Sequence, residues 1–205
     1  VNTLNQASAT RSIHPGWLIV VVCCAVGILC YGVRHSFSAF FHSILNEFGW
    51  GRGDTAMMLS LHLFSYGVFA PIVGALTDRW NPKRVMLAGV IIVGATAALC
   101  SLGSALWHFY LLFGVLTPIG LACCGSPVMN PTIANWFSDH RGLALGLAQM
   151  GGGLSFVYVI AVEYTIELFN WRFAYVLMGA AVVCILIPLI AAFYHFHPSQ
   201  KGVSA

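Results

Sequence analysis

Polar side chains recur at helical spacing within the first long apolar run of the chain. Gly27, Cys30, Tyr31, Arg34 and Ser38 follow one another at steps of three or four residues, so they share one face of a helix, opposite a face of Ile, Leu and Val. A guanidinium is always charged and can hold a carboxylate through two parallel hydrogen bonds. This face is therefore expected to point inward, where Arg34 would serve an ion path or a partner.

Three further polar residues lie within apolar runs. His62 and Gln149 are candidates for lining the same interior, although single polar residues between helices more often form packing hydrogen bonds. Glu163 is the only acidic residue inside such a run, and for it exposure to water and proton coupling are equally good interpretations.

The elements that position these residues follow from composition. The chain of 205 residues is 59% hydrophobic and 7% charged, with a mean hydropathy of +0.85, whereas about a quarter of an ordinary soluble domain is charged. Its charge-free intervals have the length of bilayer crossings, which need about 20 apolar residues. Four intervals fit one helix each, and the interval 84–139 fits two, divided around Ser101 to His108. We therefore predict an all-helical membrane protein with spans near 16–40, 55–77, 85–105, 107–130, 142–166 and 173–195.

Arg34 has two interpretations in this setting. A charge at the centre of a membrane helix costs about 3 kcal/mol on insertion scales, so such a residue usually serves an ion path or a partner. Because Arg34 falls in the outer third of its predicted span, the alternative is that its side chain reaches the external headgroups. We favour the binding role.

The basic residues predict the orientation of the chain. Lys and Arg are retained on the cytoplasmic side, and most of them fall in loops that lie on one side when both termini are inside. The cytoplasmic set is Arg11, Arg79, Lys83, Arg84, Arg141 and Lys201, against Arg52 and Arg172 outside. The net charge of +3 then faces anionic lipid headgroups, so no nucleic-acid partner is expected.

The chain shows no sign of a cofactor, a metal or a soluble catalytic module. All seven cysteines fall within predicted spans, without a Cys-x-x-Cys pair or a Cys/His set at zinc spacing, and are interpreted as small packing residues. The longest external connection, 41–54, suits a turn region rather than a receptor domain. Two stripes of small residues are also interpreted as helix-packing surfaces: Ser60, Gly67, Pro71 and Gly74, and Gly142, Gly146 and Gly153.

The loop between the second and third spans carries the most specific motif. Residues 74–84 read GALTDRWNPKR, in which Gly74 permits close approach, Asp78 can pair with an arginine or a helix N-terminus, and Lys83 and Arg84 hold the loop inside. This segment resembles the signature cytoplasmic loop of the major facilitator superfamily. Asn81 replaces the second glycine of the pattern, and it is expected to adopt the left-handed backbone of that glycine.

Three other stretches narrow the resemblance. Residues 31–41 (YGVRHSFSAFF), 130–137 (NPTIANWF) and 141–148 (RGLALGLA) resemble the monocarboxylate porters and the related oxalate:formate antiporters. His35 aligns with a functional lysine of some of these porters, so His35 remains an alternative to Arg34 as the proton or anion group.

The resemblance implies a twelve-helix fold, of which this chain is the N-terminal six-helix half. It implies a cytoplasmic segment at 1–15, a bundle of two three-helix repeats at 16–195, and a tail or central-loop start at 196–205. The implied substrate-binding residues are Tyr31, Arg34, His35, Asn130 and Gln149. The implied conformational latch is formed by Gly74, Asp78, Arg79, Lys83, Arg84 and Arg141.

The function expected from these features is secondary transport of a small organic anion, a monocarboxylate or a dicarboxylate, through alternating access with proton symport or exchange. No reaction is catalysed. The expected partners are the anion, protons, the bilayer of the cell membrane and a second six-helix half, in the same chain or in trans. Two alternatives remain open: an exporter of drugs or neutral solutes, and a non-transporting protein that is either a sensor or a truncated product.

Overall fold

The computed structural model of the chain describes residues 15–137 and 140–194. Six stretches of these residues are helical, long and apolar enough to cross a membrane, which confirms the predicted number of spans. The predicted terminal segments, 1–15 and 196–205, lie outside the described residues except for Pro15.

Four spans are single helices and two are interrupted. The first span contains α1 (Pro15–His35) and α2 (Phe37–Phe48), the second is α3 (Arg52–Arg79), and the third is α4 (Pro82–Cys100). The fourth span contains α5 (Leu106–Phe109), a π-helix (Tyr110–Leu116), α6 (Thr117–Cys124) and α7 (Ser126–Trp136). The fifth span is α8 (Arg141–Leu168) and the sixth is α9 (Trp171–Phe193). The interruptions of the first and fourth spans fall at Ser36, at the π-helix and at Gly125.

The first span is longer than the sequence indicated. It continues to Phe48 instead of ending near residue 40, so the predicted connection at 41–54 was wrong and only Gly49 to Gly51 join the first two spans. The helix ends there because Gly49 adopts a left-handed backbone, with φ 64°, and its N–H donates to the carbonyl of Leu45.

Contacts between the spans fix the end of the bundle that carries Glu47, Asp54, Glu163 and Glu167, here called the acidic end. The Arg172 guanidinium pairs with Glu47 at 2.7 Å and donates to the carbonyls of Ser101 and Gly103 at 2.7 and 3.2 Å. The Trp171 indole also donates to Glu47. These bonds join the first span, the sixth span and the connection between the third and fourth.

The opposite end carries Arg79, Lys83, Arg84 and Arg141 and is here called the basic end. The Lys83 ammonium donates to the carbonyl of Ala191 at 2.6 Å, which ties the third span to the sixth. Asn81 does not adopt the expected left-handed backbone. It has φ −68° and caps the third span, with its side chain accepting from the N–H of Lys83 at 3.0 Å.

Glycine pairs bring three pairs of spans into backbone contact: Gly27 with Gly151, Gly89 with Gly120, and Gly94 with Gly179. The two stripes predicted to pack are different. A Cβ at Gly67, Gly74, Gly142, Gly146 or Gly153 would meet nothing within 4 Å, so neither stripe packs against a described residue. Within the described residues the close contacts are therefore made by glycines outside the two stripes, and the packing role of the stripes stays a prediction.

The second and fifth spans are also the least covered. In each of them 22% of the most apolar 18-residue window is buried, against 61% for the fourth span. The unpacked stripes therefore lie on the two spans with the largest open faces.

Candidate functional site

A chain of polar side chains crosses the middle of the bundle. The Tyr31 hydroxyl lies 3.5 Å from the hydroxyl of Tyr66 and 3.2 Å from that of Ser126. The Gln149 amide donates to Ser126 at 3.2 Å and to the side-chain oxygen of Asn130 at 2.8 Å. The structure thus joins three of the predicted binding residues, Tyr31, Gln149 and Asn130, through four spans. These five residues are called the polar chain below.

A break in the fourth span positions the polar chain. Gly125 is extended, with φ −93° and ψ −156°, and it separates α6 from α7. The break frees the N–H of Ser126, which donates to the Tyr31 hydroxyl at 3.4 Å. A Cβ at Gly125 would lie 2.6 Å from the carbonyl of Leu121 and 2.8 Å from the Tyr31 hydroxyl, so a larger residue would obstruct this contact.

Sequence reasoning missed Tyr66, Ser126 and the break itself. The available signal was Gly125-Ser126-Pro127, in which proline favours the first turn of a new helix. The expected fourth span instead ran uninterrupted from 107 to 130.

Arg34 borders a cavity of about 260 Å³ between the first, second and fifth spans. The lining residues are Arg34, His35, Phe37, Ser38, Leu59, Leu63 and Phe156. Arg34 is half-buried, and it makes no hydrogen bond or ion pair with any residue of the described ranges. It lies 18 residues after Gly16 and 14 before Phe48, in the middle third of the observed span rather than the outer third.

His35 is turned toward the fifth span and is already engaged. Its Nδ1 lies 2.7 Å from the Ser155 hydroxyl, which donates to the carbonyl of Gly152 at 2.6 Å. The ring nitrogen is then the donor to Ser155. The imidazole also stacks on Phe156, with 4.4 Å between ring centroids. Of the two neighbouring basic groups, His35 is engaged by Ser155, whereas Arg34 has no hydrogen-bonding partner among the described residues.

The polar face expected on the first span is divided in the structure. Gly27 packs against the backbone of Gly151, and Cys30 is buried, whereas Tyr31, Arg34 and Ser38 remain accessible. The accessible part is shorter than predicted because Gly27 and Cys30 face neighbouring spans.

His62 does not line the Arg34 cavity and instead forms a hydrogen bond between helices, the more common of the two roles weighed for it. It is fully buried and its Nδ1 lies 2.8 Å from the carbonyl of Phe113 in the fourth span. Glu163 is exposed toward the acidic end of the fifth span.

The residues of the predicted latch gather at the basic end. A second cavity, of about 640 Å³, is lined there by Arg79, Asn81 and Arg84 together with Trp80 and four apolar or sulfur-bearing side chains. Asp78 and Arg141 are exposed, and neither forms an ion pair with another residue of the described ranges. The side-chain pairing expected of Asp78 is therefore not formed in the described structure.

The sequence of this chain is similar to those of known membrane transporters. A family model described as Major Facilitator Superfamily matches residues 22–205. Human monocarboxylate transporter 11 is 30% identical over 182 residues, covering 85% of this chain and 38% of that protein. Human monocarboxylate transporter 12 is 29% identical over 213 residues, covering 98% and 41%. Mouse monocarboxylate transporter 3 is 32% identical over 169 residues, covering 82% and 34%.

A solved structure shares the fold. A bacterial homologue of the human lysosomal transporter Spinster, crystallised in an inward-facing and unoccupied conformation, matches 95% of this chain and 46% of its own with a TM-score of 0.77 and 20% identity. The chain spans about two fifths of the length of the curated relatives that it matches.

Proposed function

The chain belongs to the Major Facilitator Superfamily, a family of membrane transporters and not of enzymes, and on that premise we propose that it forms one half of a carrier for a small organic anion. The carrier works by alternating access, with proton symport or anion exchange. The substrate class is a monocarboxylate or a dicarboxylate.

The observation that carries this proposal is the free guanidinium of Arg34 in its cavity. A cation inside a membrane protein almost always has a partner, because burying an unpaired charge is costly. Arg34 has no such partner in the described residues, and its planar group suits the two oxygens of a carboxylate. A bound anion supplies the missing charge. The names of the monocarboxylate transporters among the relatives agree with this class of substrate.

The polar chain extends the site on the same side of the first span. Tyr31 lies one helical turn before Arg34 and leads through Ser126 to Gln149 and Asn130, both of which are exposed. Their hydroxyl and amide groups can donate to the remaining oxygens of a substrate, and His35 positions the fifth span beside it.

The second half of the carrier covers the open faces of the second and fifth spans. Glycine stripes on these spans contact nothing in the described ranges, and small residues in membrane helices serve close helix approach. The relatives, more than twice as long as the matched region, support a partner half in the same chain, and assembly in trans is the alternative. The bundle forms one domain from 16 to 195, flanked by cytoplasmic segments.

In the orientation that we propose, the basic end faces the cytoplasm and both termini are on the cytoplasmic side. The membrane is the plasma membrane of the cell. Arg79, Lys83, Arg84 and Arg141 all lie at that end, as the retention of basic residues requires. There Gly74, Asp78 and these four residues form a latch that closes against the second half. Asp78 and Arg141, which are exposed and form no ion pair within the described ranges, are the groups available for this contact.

Concentration-dependent uptake by two Arg34 variants tests the function. The product of the complete coding region is reconstituted in liposomes, with labelled pyruvate and succinate outside. Arg34→Lys should retain weakened uptake, because lysine keeps the charge but cannot form the two parallel hydrogen bonds of the guanidinium. Arg34→Gln should nearly abolish uptake. Arg52→Gln is the matched control, since Arg52 is exposed at the acidic end. Unchanged apparent affinity in Arg34→Gln would mean that the arginine only anchors the helix, and would leave His35 as the candidate.

A further inference from the structure

One ring nitrogen of His62 is buried without a hydrogen-bonding partner. The Nδ1 atom lies 2.8 Å from the carbonyl of Phe113, and since a carbonyl only accepts, this nitrogen carries the proton. The Nε2 atom is therefore a lone-pair acceptor. It is one of two buried side-chain atoms in the described residues that have no hydrogen bond, the other being the Ser36 hydroxyl oxygen. Buried polar atoms nearly always form hydrogen bonds, so the missing hydrogen bond at His62 Nε2 needs an explanation.

The partner of His62 is itself irregular. Phe113 lies within the π-helix Tyr110–Leu116, where backbone hydrogen bonds span five residues instead of four. Such stretches are rare and are frequently found at functional sites. The His62 ring also packs against the Phe113 ring, with 4.7 Å between centroids. His62 is thus held at a fixed place on the fourth span while its second nitrogen stays available.

His62 is a neighbour of residues that line the Arg34 cavity but is not itself in the lining. Leu59 and Leu63, three residues before and one residue after His62 in the second span, line that cavity. Phe37 lines it from the first span and stacks on Phe113 at 5.1 Å. Apolar side chains therefore separate Nε2 from the cavity, and in this conformation a proton on Nε2 would be enclosed.

The charged and titratable groups around His62 are few. From the first span they are Arg34 and His35. The facing part of the fourth span offers the Phe113 carbonyl, the third span offers no charged side chain at this level, and on its own helix the next titratable group is Tyr66, one turn away. Among the residues that the structure describes, Arg34 is thus the permanently charged group near His62.

We propose that His62 is the proton-binding group of this half and that it is loaded together with the anion at Arg34. This inference rests on the proposed function. A proton adds to the Nε2 lone pair and converts the neutral ring to imidazolium, and it later leaves to water on the other side of the membrane; no other bond changes. With the cavity empty, the charge of Arg34 opposes a second positive charge nearby. A bound anion removes that opposition, and by linkage the proton strengthens anion binding equally.

The decisive variant is His62→Asn. Its amide can still donate to the Phe113 carbonyl, but it cannot take up a proton. The product of the complete coding region is reconstituted in liposomes, and labelled pyruvate and succinate are followed in two assays: accumulation driven by an inward proton gradient, and exchange against the same internal anion at equal pH. His42→Asn, at an exposed position of the first span, is the control.

The expected result is a split between the two assays. His62→Asn should lose proton-driven accumulation by about tenfold or more, within the usual range for coupling between two sites. It should keep exchange at saturating anion concentrations, with a weaker apparent affinity because no proton on residue 62 assists anion binding. His42→Asn should keep both. Proton-driven accumulation that persists in His62→Asn overturns the inference, and so does loss of both activities, which would mean a structural role.

Two outcomes in the wild type separate this inference from the proposed function. Exchange without any response to the proton gradient overturns the role of His62 and leaves anion transport in place. Absence of both exchange and uptake removes the proposed function and this inference with it. If His62→Asn does not insert, proton uptake on adding pyruvate to purified wild-type protein in weak buffer decides, and no uptake overturns the inference.

Discussion

Replacing Gly151 and Gly153 by alanine tests how the first and fifth spans are held together. The two glycines lie two residues apart in α8, and their surroundings are opposite. A Cβ at Gly151 would lie 2.3 Å from the carbonyl oxygen of Cys24 and 3.0 Å from its carbonyl carbon, whereas a Cβ at Gly153 would meet nothing within 4 Å. The obstructing atoms at Gly151 are backbone, so no side-chain rotation can relieve the contact.

The expected effects on the free energy of unfolding differ in sign. Gly151→Ala must move two helices apart, and overpacking of this kind costs about 1–3 kcal/mol. Gly153→Ala adds a methyl group in open space and removes the backbone entropy of glycine, which stabilises a helix by about 0.5–1 kcal/mol. Because the entropy term is common to both positions, the two variants should differ by the overpacking cost, about 1–3 kcal/mol.

The measurement is equilibrium unfolding of the 205-residue chain in mixed detergent micelles, followed by circular dichroism. Using this chain matters because a second half would cover Gly153 in a complete carrier. If Gly151→Ala is as stable as Gly153→Ala, the backbone contact between the first and fifth spans does not exist as described here.

Three further predictions concern topology and transport. Reporter fusions at Phe48 and Ala205 should report external and internal locations, because the basic loops stay inside; the reverse result contradicts the topology. The 205-residue chain alone should insert but show no saturable uptake of pyruvate as a reconstituted monomer, since no second half packs against its open faces. Flux by a monomer would refute this, and flux by a dimer would mean assembly in trans. Asp78→Asn in the complete protein should lower the maximal rate more than the apparent affinity, because a latch acts on conformational exchange; lost affinity at an unchanged rate argues against it.

The sequence predicted the number of spans because charge-free intervals of bilayer length are a direct consequence of the cost of burying charge. It also located Tyr31, Asn130 and Gln149, which the structure joins in the polar chain. Their roles in binding remain predictions. Tyr66 and Ser126 were not predicted, because their importance comes from contacts between spans. Helical periodicity within one span gives no information about those contacts.

The differences from the sequence predictions have the same origin. Periodicity places Gly142, Gly146 and Gly153 along one side of a helix, but it does not say which side meets a helix of the same bundle, and that contact is made by Gly151. Asn81 was expected to imitate glycine, but its side chain could also cap the next helix, and that bond determined its backbone. Both decisions depend on neighbours that one segment of sequence does not specify.

The interruptions of the fourth span and the polar residues near them belong to one arrangement. Inside a membrane a freed backbone group has no water to bond with, so a break persists only where the protein supplies a partner. The carbonyl of Leu112 accepts from the Thr117 hydroxyl at 2.8 Å, the carbonyl of Phe113 accepts from His62, and the N–H of Ser126 donates to the Tyr31 hydroxyl.

A polar side chain that satisfies such a break therefore has a structural task whether or not it also handles substrate or protons. Loss of transport on replacing Tyr31 or His62 by an apolar residue does not distinguish the two tasks, because the backbone group is left unpaired in either case. Asparagine at 62 keeps a donor for the carbonyl of Phe113. Phenylalanine at 31 removes the acceptor of the Ser126 N–H and should disturb the fourth span even if the hydroxyl never touches an anion. Only substitutions that preserve the backbone partner can therefore assign a transport role to these residues.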